Sequence, residues 1–467
     1  MARVLLVKPI SQYCYTIAPN LGLGYLASVL RNAGHDVTFL DCDKERLSLE
    51  GFADRLKGEV YDVIGFQLYT NGLYTARKQL EIARQRMKEA LIIVGGPHAT
   101  GDPHQTLAFL KDADLAVLGE GENIIDKIAG LKRSDVKDTS VLANLSNIAY
   151  RNAAGAVCVN PIRNIGDLDS LPMPAWELMD PRRYPEAPHG TFARSFPIAP
   201  IITSRGCPYS CTFCASFRIH GRKMRRRSSA AVLDEIEYLN KKFGVREFQI
   251  EDDNFTMGKE YAREVLSGII ERGLRVWISL PNGVRIDALD KELLQLMERA
   301  GCYSLAIGIE SGSDRILKKL QKSLTTKEIE EKLNLVKKHT KIRVTGFFLI
   351  GHPDETEDDI KKSIEFALRL KLDRASFSPL MPLPGSAIYD EWKGRVDFEN
   401  VDWNKFLYYQ FIPSVSPLPV DMLERCLKSA NARFYIRPHI WLGLLVEVRT
   451  PYQFKMLLKR ARKILVG

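Results

Sequence analysis

Three closely spaced cysteines constrain the fold of this chain more than any other feature. They are Cys207, Cys211 and Cys214, spaced C-x3-C-x2-C, and no fourth cysteine lies nearby. A tight loop with this spacing can aim three thiolates at one iron–sulfur cluster, whereas most four-iron clusters have four cysteine ligands. Three ligands leave one iron open to a small molecule. The spacing therefore predicts a loop that holds a [4Fe–4S] cluster with one open coordination position.

A zinc site is the alternative interpretation of the same loop. It would use these cysteines together with His220. Structural zinc sites usually draw their ligands from two separated pairs, and the sequence offers no second pair. The iron–sulfur interpretation is therefore favoured.

Short apolar runs alternate with helical patterns over residues 1–130, and this alternation predicts a Rossmann-like, doubly wound parallel sheet. Ligands of such sheets bind beyond the carboxyl ends of the strands. Loops that contain glycine, which permits close backbone approach to a ligand, fall at those ends. The predicted strands are Val4–Val7, Val37–Leu40, Val63–Gln67, Leu91–Val94 and Leu115–Leu118.

A second series of strand and helix patterns follows residue 200, and six such units predict a partial (βα)6 TIM-type barrel. Functional residues of these barrels lie at the carboxyl ends of the strands. The cysteine motif follows the first of them, and acidic or glycine-bearing segments follow several others. The predicted strands are Pro200–Thr203, Glu247–Glu251, Val276–Ser279, Ser304–Ile309, Val344–Ile350 and Ala375–Ser378.

The chain is α/β overall, and we expect four segments. Residues 1–145 form the Rossmann-like domain, and residues 146–192 form a hairpin and a proline-rich linker. Residues 193–400 form the barrel, and residues 401–467 form a helical extension.

The formal net charge of +10 raises the question of nucleic-acid binding. Much of the excess lies in two places, Arg218–Arg227 and the last thirteen residues, so we do not expect a general nucleic-acid surface. The run Arg222–Arg227 is interpreted as the solvated start of a helix. Three functional roles are less favoured alternatives: shielding the cluster, binding a phosphate-bearing substrate and docking an electron donor. Cysteines outside the motif are scattered singly, which favours a reducing cytoplasm, and we expect no signal peptide or spanning helix.

The cysteine spacing, with Phe213 before the last cysteine, resembles that of the radical S-adenosylmethionine (radical SAM) enzymes. The resemblance implies that the open iron binds the methionine part of S-adenosylmethionine and that one electron releases a 5′-deoxyadenosyl radical. It places Phe213 near the adenine and a glutamate, here Glu310, near the ribose or amino acid tail. Asp253, with Asp252 as an alternative, is expected near the amino group, because a carboxylate favours a cation. Helix capping is the other interpretation of these acidic residues. Arg285 is expected to hold the carboxylate, with an ordinary surface ion pair as the alternative interpretation.

A Rossmann-like domain placed before such a barrel resembles the cobalamin-binding domains of the same superfamily. The resemblance implies contacts between the glycine loops and cobalamin. One departure is that the first loop, Lys8–Cys14, has no histidine, so we expect cobalt to lack a histidine ligand. His98 and His104 are interpreted as hydrogen-bonded loop residues rather than cobalt ligands. The residues expected to contact cobalamin are Thr70, Gly95, Gly96, His98, Gly119 and Gly121.

The resemblance implies a cobalamin-dependent enzyme that methylates an unactivated carbon of a small-molecule or lipid-like substrate. A radical cyclase or ring-rearrangement enzyme with the same cofactors is the first alternative. A methylthiotransferase-like enzyme acting on RNA would need a second cluster on Cys14, Cys42 and Cys158. A regulator that senses cobalamin or redox state is the last alternative, and the strand-end carboxylates argue against it.

Two partners are expected besides the substrate. A cluster that must be reduced implies an electron donor such as flavodoxin or ferredoxin. The last stretch of the chain is a basic amphipathic helix, which could lie on the inner face of an anionic membrane or pack on the barrel. Its apolar and basic residues are Phe454, Leu457, Leu458, Ala461, Ile464 and Leu465, and Lys455, Lys459, Arg460, Arg462 and Lys463.

Overall fold

The structure is a computed structural model that describes residues 1–11, 17–186, 192–407 and 410–466, with side chains described as far as Lys459. Both predicted sheets are present. A seven-stranded sheet lies in the amino-terminal part, and a six-stranded sheet curves through the middle of the chain. The α/β fold class is confirmed.

The amino-terminal sheet has the strand order β2-β1-β3-β4-β5-β6-β7. Its first five strands are parallel, and β6 and β7 form an antiparallel hairpin at the edge. Val4 and Leu6 of β1 face one core and Leu5 and Val7 face the other, because successive strand residues point to opposite faces. Its strands are β1 (Arg3–Lys8), β2 (Asp36–Asp41), β3 (Val63–Gln67), β4 (Leu91–Gly95), β5 (Leu115–Val117), β6 (Ile148–Arg151) and β7 (Val157–Val159).

Helices cover both faces of this sheet. The helix Leu73–Arg86 begins directly after the 3-10 turn at Thr70–Gly72. Asn20 caps the helix Leu21–Asn32 by accepting from the backbone N–H of Leu23 at 3.0 Å. The helices are α1 (Leu21–Asn32), α2 (Leu49–Arg55), α3 (Leu73–Arg86), α4 (Pro97–Gly101), α5 (Pro103–Phe109), α6 (Ile125–Ala129) and α7 (Thr139–Ala143).

The middle of the chain forms a six-stranded, all-parallel partial barrel with the order β15-β14-β13-β12-β11-β8. A short hairpin of β9 and β10 follows β8. The strands are β8 (Ile198–Ile201), β9 (Ser204–Arg205), β10 (Arg225–Arg226), β11 (Glu247–Ile250), β12 (Trp277–Val284), β13 (Cys302–Glu310), β14 (Arg343–Ile350) and β15 (Arg374–Pro379). The helices are α8 (Ser216–His220), α9 (Ser229–Phe243), α10 (Lys259–Glu271), α11 (Lys291–Arg299), α12 (Asp314–Lys319), α13 (Thr326–His339), α14 (Glu357–Arg369) and α15 (Ala387–Lys393).

The proline-rich stretch between the two sheets is packed against the barrel. Trp176 is fully buried and donates from its indole N–H to Glu235 at 2.9 Å, and Met179 lies in the same core. Apolar residues of the amino-terminal sheet also share a core with Leu380 and Trp392 from beyond the barrel. One apolar cluster is therefore shared between the amino-terminal sheet and residues that follow the barrel, and each sheet also packs against a further cluster that is mainly its own.

Three helices complete the chain: α16 (Val420–Tyr435), α17 (Pro438–Glu447) and α18 (Pro451–Val466). The first packs on β15, and the hydroxyl of Tyr435 donates to the carbonyl of Ala375 at 2.8 Å. In the part of the chain that the structure describes, no helix combines the length and apolar character needed to cross a bilayer.

Candidate active site

The cysteine motif lies in a loop that leaves the barrel at β9 and returns at β10. We call residues 206–224 the cysteine loop. Its ends are paired, with Arg205 opposite Arg225 in the antiparallel register. The N–H of Cys207 donates to the carbonyl of Gly221 at 3.3 Å, and the N–H of Thr212 donates to the carbonyl of Leu320 at 3.1 Å. These bonds fix both arms of the loop at the carboxyl end of β8, as predicted for barrels of this type.

Glycine is required at the start of the loop for two reasons. Gly206 has φ of +97°, and a Cβ there would lie 2.4 Å from the carbonyl oxygen of Lys223. Non-glycine residues rarely adopt this backbone conformation, and the facing atom belongs to the backbone, so it cannot swing aside.

A Gly206→Ala variant is therefore expected to bind much less iron while the rest of the chain stays folded. The matched control is Gly244→Ala, because Gly244 also has positive φ but has nothing within 4 Å of its Cβ position. Iron per chain after anaerobic reconstitution, with circular dichroism as the folding check, measures the effect. Equal iron content in the two variants would contradict this account of the loop.

The three thiols are half-buried and lie within electrostatic reach of one another. Burial raises the pKa of all three, and that of Cys214 reaches about 11. A bound metal would reverse this, because ligation holds a thiol in its ionised form. Among the described residues, no three His, Cys, Asp or Glu side chains converge on a single ion. A four-iron cluster binds its ligands on separate iron atoms and needs no such convergence.

Some buried polar atoms in and near the cysteine loop have no hydrogen-bond partner among the described residues. They are the hydroxyls of Thr212 and Ser216 and one carboxylate oxygen of Asp253. Buried polar groups are normally satisfied, so each such atom calls for an explanation. A polar ligand bound beside the thiols would supply the missing partners. The residues present therefore fit a cluster and its ligand.

Two neighbouring carboxylates after β11 have different surroundings. Asp252 is buried and accepts from the backbone N–H and the hydroxyl of Thr203 and from the hydroxyl of Ser204, each at 2.6 Å. Burial raises its pKa to about 6 despite these bonds. Asp253 instead lies within electrostatic reach of Cys207 and Cys214. Asp252 is thus hydrogen-bonded to the residues that follow β8, whereas Asp253 lies near the thiols.

Glu310 forms a buried ion pair that the sequence did not reveal. Its carboxylate accepts from the ammonium of Lys322 at 2.8 Å, and both residues are under a tenth exposed. The ammonium also lies 5.9 Å from the centre of the Phe213 ring. Burial opposes the charge of Lys322, but attraction to Glu310 and Cys211 raises its pKa. Glu310, Lys322, Phe213 and Cys211 are therefore brought together.

Arg285 is held beside the same loop. Its guanidinium donates to Asp287 at 3.1 and 2.9 Å and to the carbonyl of Lys322 at 2.8 Å. It also stacks 3.8 Å from the centre of the Tyr209 ring. Most of its donors are thus already used. Lys322, which was not predicted, is the less encumbered cation near the thiols.

A large cleft joins the barrel mouth to the amino-terminal sheet. Its volume is about 910 Å3, and we call it the interdomain cleft. Gly95, Gly96, Gly119 and Gly121 line it on one side, and Phe213 lines it on the other. Gly96 has φ of +98°, which lets this loop turn where β4 ends. Four of the six residues predicted to contact cobalamin thus face one space with the cysteine loop.

The other two predicted cobalamin residues, Thr70 and His98, do not line the interdomain cleft. Both are buried, and the hydroxyl of Thr70 lies 3.0 Å from Nδ1 of His98. Nε2 of His98 lies 2.7 Å from Oε1 of Gln105, and burial lowers the pKa of the imidazole to about 4. His98 is therefore a hydrogen-bonded interior residue, the alternative that the sequence analysis favoured over cobalt ligation. The histidine-free loop Lys8–Cys14 lies partly outside the described residues.

A buried ion-pair network clamps the glycine loop of the amino-terminal sheet to the cysteine loop. Glu120 accepts two bonds of 2.7 Å from Arg225 and lies 3.3 Å from His220. Arg205 lies 3.5 Å from Glu120 and donates to Glu122 at 2.7 Å. One carboxylate thus contacts residues on both ends of the cysteine loop. We call this network the Glu120 clamp.

The interpretation of Arg222–Arg227 as a solvated helix start is wrong for its carboxyl half. Arg225 and Arg227 are 8% and 7% exposed, and each is paired with a buried glutamate, Glu120 and Glu235. Arg222 donates to the carbonyl of Tyr209 and the hydroxyl of Ser210 within the cysteine loop. Arg225 and Arg227 are therefore committed to buried carboxylates, and Arg222 is hydrogen-bonded within the cysteine loop.

The arrangement of cysteines does not support a second cluster. Cys42 follows β2 and Cys158 lies in β7, at opposite edges of the seven-stranded sheet. Six steps between neighbouring strands separate them, about 29 Å. Cys42 is also buried, with its pKa raised to about 12 by burial. Cys14 lies outside the described residues.

Comparisons with known proteins agree with the two halves of this site. The family model of the radical SAM superfamily matches residues 201–367, and that of the B12 binding domain matches residues 8–129. The chain is 29% identical over 454 residues to an uncharacterised methyltransferase of Pyrococcus horikoshii, covering 95% of each chain. It is 30% identical over 450 residues to the cytidylyl-2-hydroxyethylphosphonate methyltransferase of Streptomyces wedmorensis, covering 85% of this chain and 83% of the relative.

A third relative has a different activity. It is the anaerobic magnesium-protoporphyrin IX monomethyl ester cyclase of Cereibacter sphaeroides, 26% identical over 422 residues, which cover 90% of this chain and 67% of the relative. Among solved structures, the cobalamin-dependent S-adenosylmethionine radical enzyme OxsB with aqua-cobalamin bound superposes with a TM-score of 0.74. The match covers 99% of this chain and 71% of OxsB at 19% identity, so it shows a shared fold.

Proposed function

This chain belongs to the radical SAM superfamily, among the members that carry a B12-binding domain, and we propose that it methylates an unactivated carbon of a small-molecule or lipid-like substrate. The observation that carries the proposal is the interdomain cleft, which glycine loops line on one side and Phe213 on the other. Holding reactants together in one space can lower a barrier by about 7 to 11 kcal/mol in favourable cases. A methyl donor and a radical source would meet there.

The cysteine loop would hold the cluster, and the glycine loops would hold cobalamin. When bound, the cluster supplies the electron that splits S-adenosylmethionine, and cobalamin supplies the methyl group. Cys207, Cys211 and Cys214 are the proposed ligands, and Phe213 would pack against the adenine. Gly95, Gly96, Gly119 and Gly121 would let the backbone approach the corrin. We propose residues 1–145 as the cobalamin domain and 193–400 as the radical domain, although the amino-terminal sheet continues to Val159.

Three charged side chains would orient S-adenosylmethionine. Asp253, which has an unpartnered buried oxygen, would accept from the amino group. Lys322 would attract the carboxylate, and Glu310 would accept from the ribose hydroxyls or the amino group. Glu310 stands at the end of β13 with φ of +66°, an unusual conformation for a residue with a side chain. Such outliers persist where the surrounding structure holds them, often at ligand sites.

A Lys322→Met variant is expected to weaken binding of S-adenosylmethionine at least tenfold. The substitution removes a cation and leaves Glu310 as an unpaired buried carboxylate, which is costly. The reduced cluster's electron paramagnetic resonance signal, titrated with S-adenosylmethionine, measures the affinity. Lys319→Met is the control, because Lys319 is 53% exposed and forms a surface ion pair with Asp354. Unchanged affinity in the Lys322 variant with normal iron content would count against this role.

A radical cyclase is the second candidate, and the similarity to the Cereibacter sphaeroides cyclase favours it. The decisive experiment is anaerobic reconstitution with iron, sulfide and hydroxocobalamin, then turnover with S-adenosylmethionine and candidate substrates. Methyl transfer predicts a product heavier by one CH2, together with S-adenosylhomocysteine and 5′-deoxyadenosine. Loss of hydrogens without S-adenosylhomocysteine would favour the cyclase. Absence of 5′-deoxyadenosine with a filled cluster would reject both.

Two further partners belong to the proposal. A flavodoxin or ferredoxin would reduce the cluster, because the chemistry consumes one electron per radical. A peripheral contact with the inner face of the membrane through the carboxyl-terminal helices is the other. Nucleic acid is not a proposed partner, since Arg225 and Arg227 are committed to buried glutamates.

A further inference from the structure

The carboxyl-terminal helix α17 exposes an apolar face. Leu442, Leu445 and Val446 are 63%, 48% and 68% exposed, and their spacing places them on one side of the helix. Ile440 and Leu444 are buried against the barrel core on the other side. The helix is therefore apolar on both sides, although only one side is needed for packing. Exposed apolar groups that recur on one face mark an interaction surface.

The next helix, α18, continues this pattern with positive charge. Phe454 and Leu458 are 47% and 54% exposed and lie one helical turn apart. Lys455 and Lys459 follow them directly and are exposed. Leu457 and Gln453 are buried, and the Gln453 amide donates to the carbonyl of Ala193 at 2.9 Å. We call Leu442, Leu445, Val446, Phe454 and Leu458, with Lys455 and Lys459, the terminal surface.

The charge of this region selects one kind of partner. Between residues 436 and 459 the only carboxylate is Glu447, and it pairs with Arg343 at 3.0 Å and also with Arg374. Arg449, Lys455 and Lys459 are exposed. Anionic phospholipids attract such groups with about 1 kcal/mol each. A symmetric dimer through the same surface would instead bring these cations against their own copies.

The terminal surface lies at the end of the barrel opposite the interdomain cleft. Glu447 pairs with the first residues of β14 and β15, whereas the cleft is lined by Leu349 and Pro379 near the ends of those strands. The eight residues of β14 span roughly 23 Å. Contact at the terminal surface would therefore leave the cleft open.

We propose that α17 and α18 dock the enzyme on an anionic phospholipid bilayer, with Leu442 and Val446 inserted among the lipids and Lys455 and Lys459 on the headgroups. Amphipathic helices bind in this way, in the plane of the interface. The inference rests on the proposed membrane contact and is independent of the chemistry in the cleft. The inserted side chains, Leu442 and Val446, lie on α17. The sequence pattern had pointed only to the basic terminal helix.

Vesicle sedimentation of the cofactor-loaded full chain tests the proposal. We expect binding to vesicles of equal parts phosphatidylglycerol and phosphatidylcholine, weak binding to phosphatidylcholine alone, and loss of binding at high salt. Leu442→Ser/Val446→Ser and Lys455→Glu/Lys459→Glu should each lower the affinity at least tenfold. Val60→Ser is the control, because Val60 is 67% exposed but lies on the amino-terminal domain.

Formation of 5′-deoxyadenosine should stay unchanged in every one of these variants, which separates docking from the proposed chemistry. Equal binding to both kinds of vesicle, or full binding by the two double variants, would overturn the proposal. Light scattering provides a further check without vesicles. A dimer of the parent chain that the Leu442→Ser/Val446→Ser variant dissociates would assign the surface to self-association and also overturn it.

Discussion

A Cys211→Ala variant is expected to form no 5′-deoxyadenosine above background, while it still binds cobalamin. Two thiolates cannot hold a cluster that depends on three, so the electron source is lost. Cobalamin would be held by Gly95, Gly96 and Gly119, which belong to a separate sheet with its own core. The measurement is chromatography of the nucleoside products after reduction with dithionite, beside the visible spectrum of bound corrin.

Cys158→Ala is the control for this prediction. Cys158 is also half-buried and free, but it lies in the edge strand β7 and not in the cysteine loop. Its variant should keep full iron content and normal product formation. If a folded Cys211→Ala chain lost corrin in parallel with iron, the division of labour between the two sheets would be wrong.

A Glu120→Ala variant is expected to be the most destabilised single substitution proposed for this chain. Glu120 is 2% exposed, and its removal leaves Arg225 and Arg205 buried without their shared carboxylate. Breaking a buried pair in this way costs about 3–5 kcal/mol. Urea denaturation followed by tryptophan fluorescence measures the loss. Asp358→Asn is the control, because its ion pair with Lys362 is on the surface and should contribute little.

The same network predicts a dependence on pH. Burial opposes ionisation of Glu120, but hydrogen bonds from His220 and Arg225 and the charge of Arg205 lower its pKa from 4.5 to about 2. A depressed pKa of this size corresponds to about 3 kcal/mol of folding free energy. This contribution is present above pH 4.5 and is lost as the pH falls toward 2. The stability difference between the parent chain and Glu120→Gln should therefore shrink over that window, and a constant difference would contradict the clamp.

The sequence predicted the framework of the fold well, because most strands of both sheets are buried, parallel and marked by strong local patterns. All eleven predicted strands are present, most within two residues of their predicted ends. The boundary at residue 145 divides the sheet, since β6 pairs with β5 across more than thirty residues. Local patterns do not encode such pairing. β12 likewise continues beyond the predicted end at Ser279, through Asn282 and Gly283. Its pairing with β13 has an irregular register there, which no sequence pattern predicts.

Site residues that belong to a short sequence motif could be proposed from the sequence. Residues whose role depends on partners distant in the sequence could not. The cysteine motif and the strand-end carboxylates carry their own signal. Lys322 has none, because it becomes notable only when folding places it on Glu310 and near Phe213. Arg225 looked like surface charge for the same reason, as its partner Glu120 comes from the other sheet. Thr70 and His98, which were predicted to contact cobalamin, do not line the interdomain cleft, because a polar loop residue can also form its hydrogen bonds in the interior.

The most direct test of the account is the cluster itself. Protein purified without oxygen should contain four iron and four sulfide per chain, and the paramagnetic resonance signal of the reduced cluster should change when S-adenosylmethionine is added. That change requires an iron free to bind the nucleotide. Two irons per chain, zinc in place of iron, or a four-iron signal indifferent to S-adenosylmethionine would contradict the account.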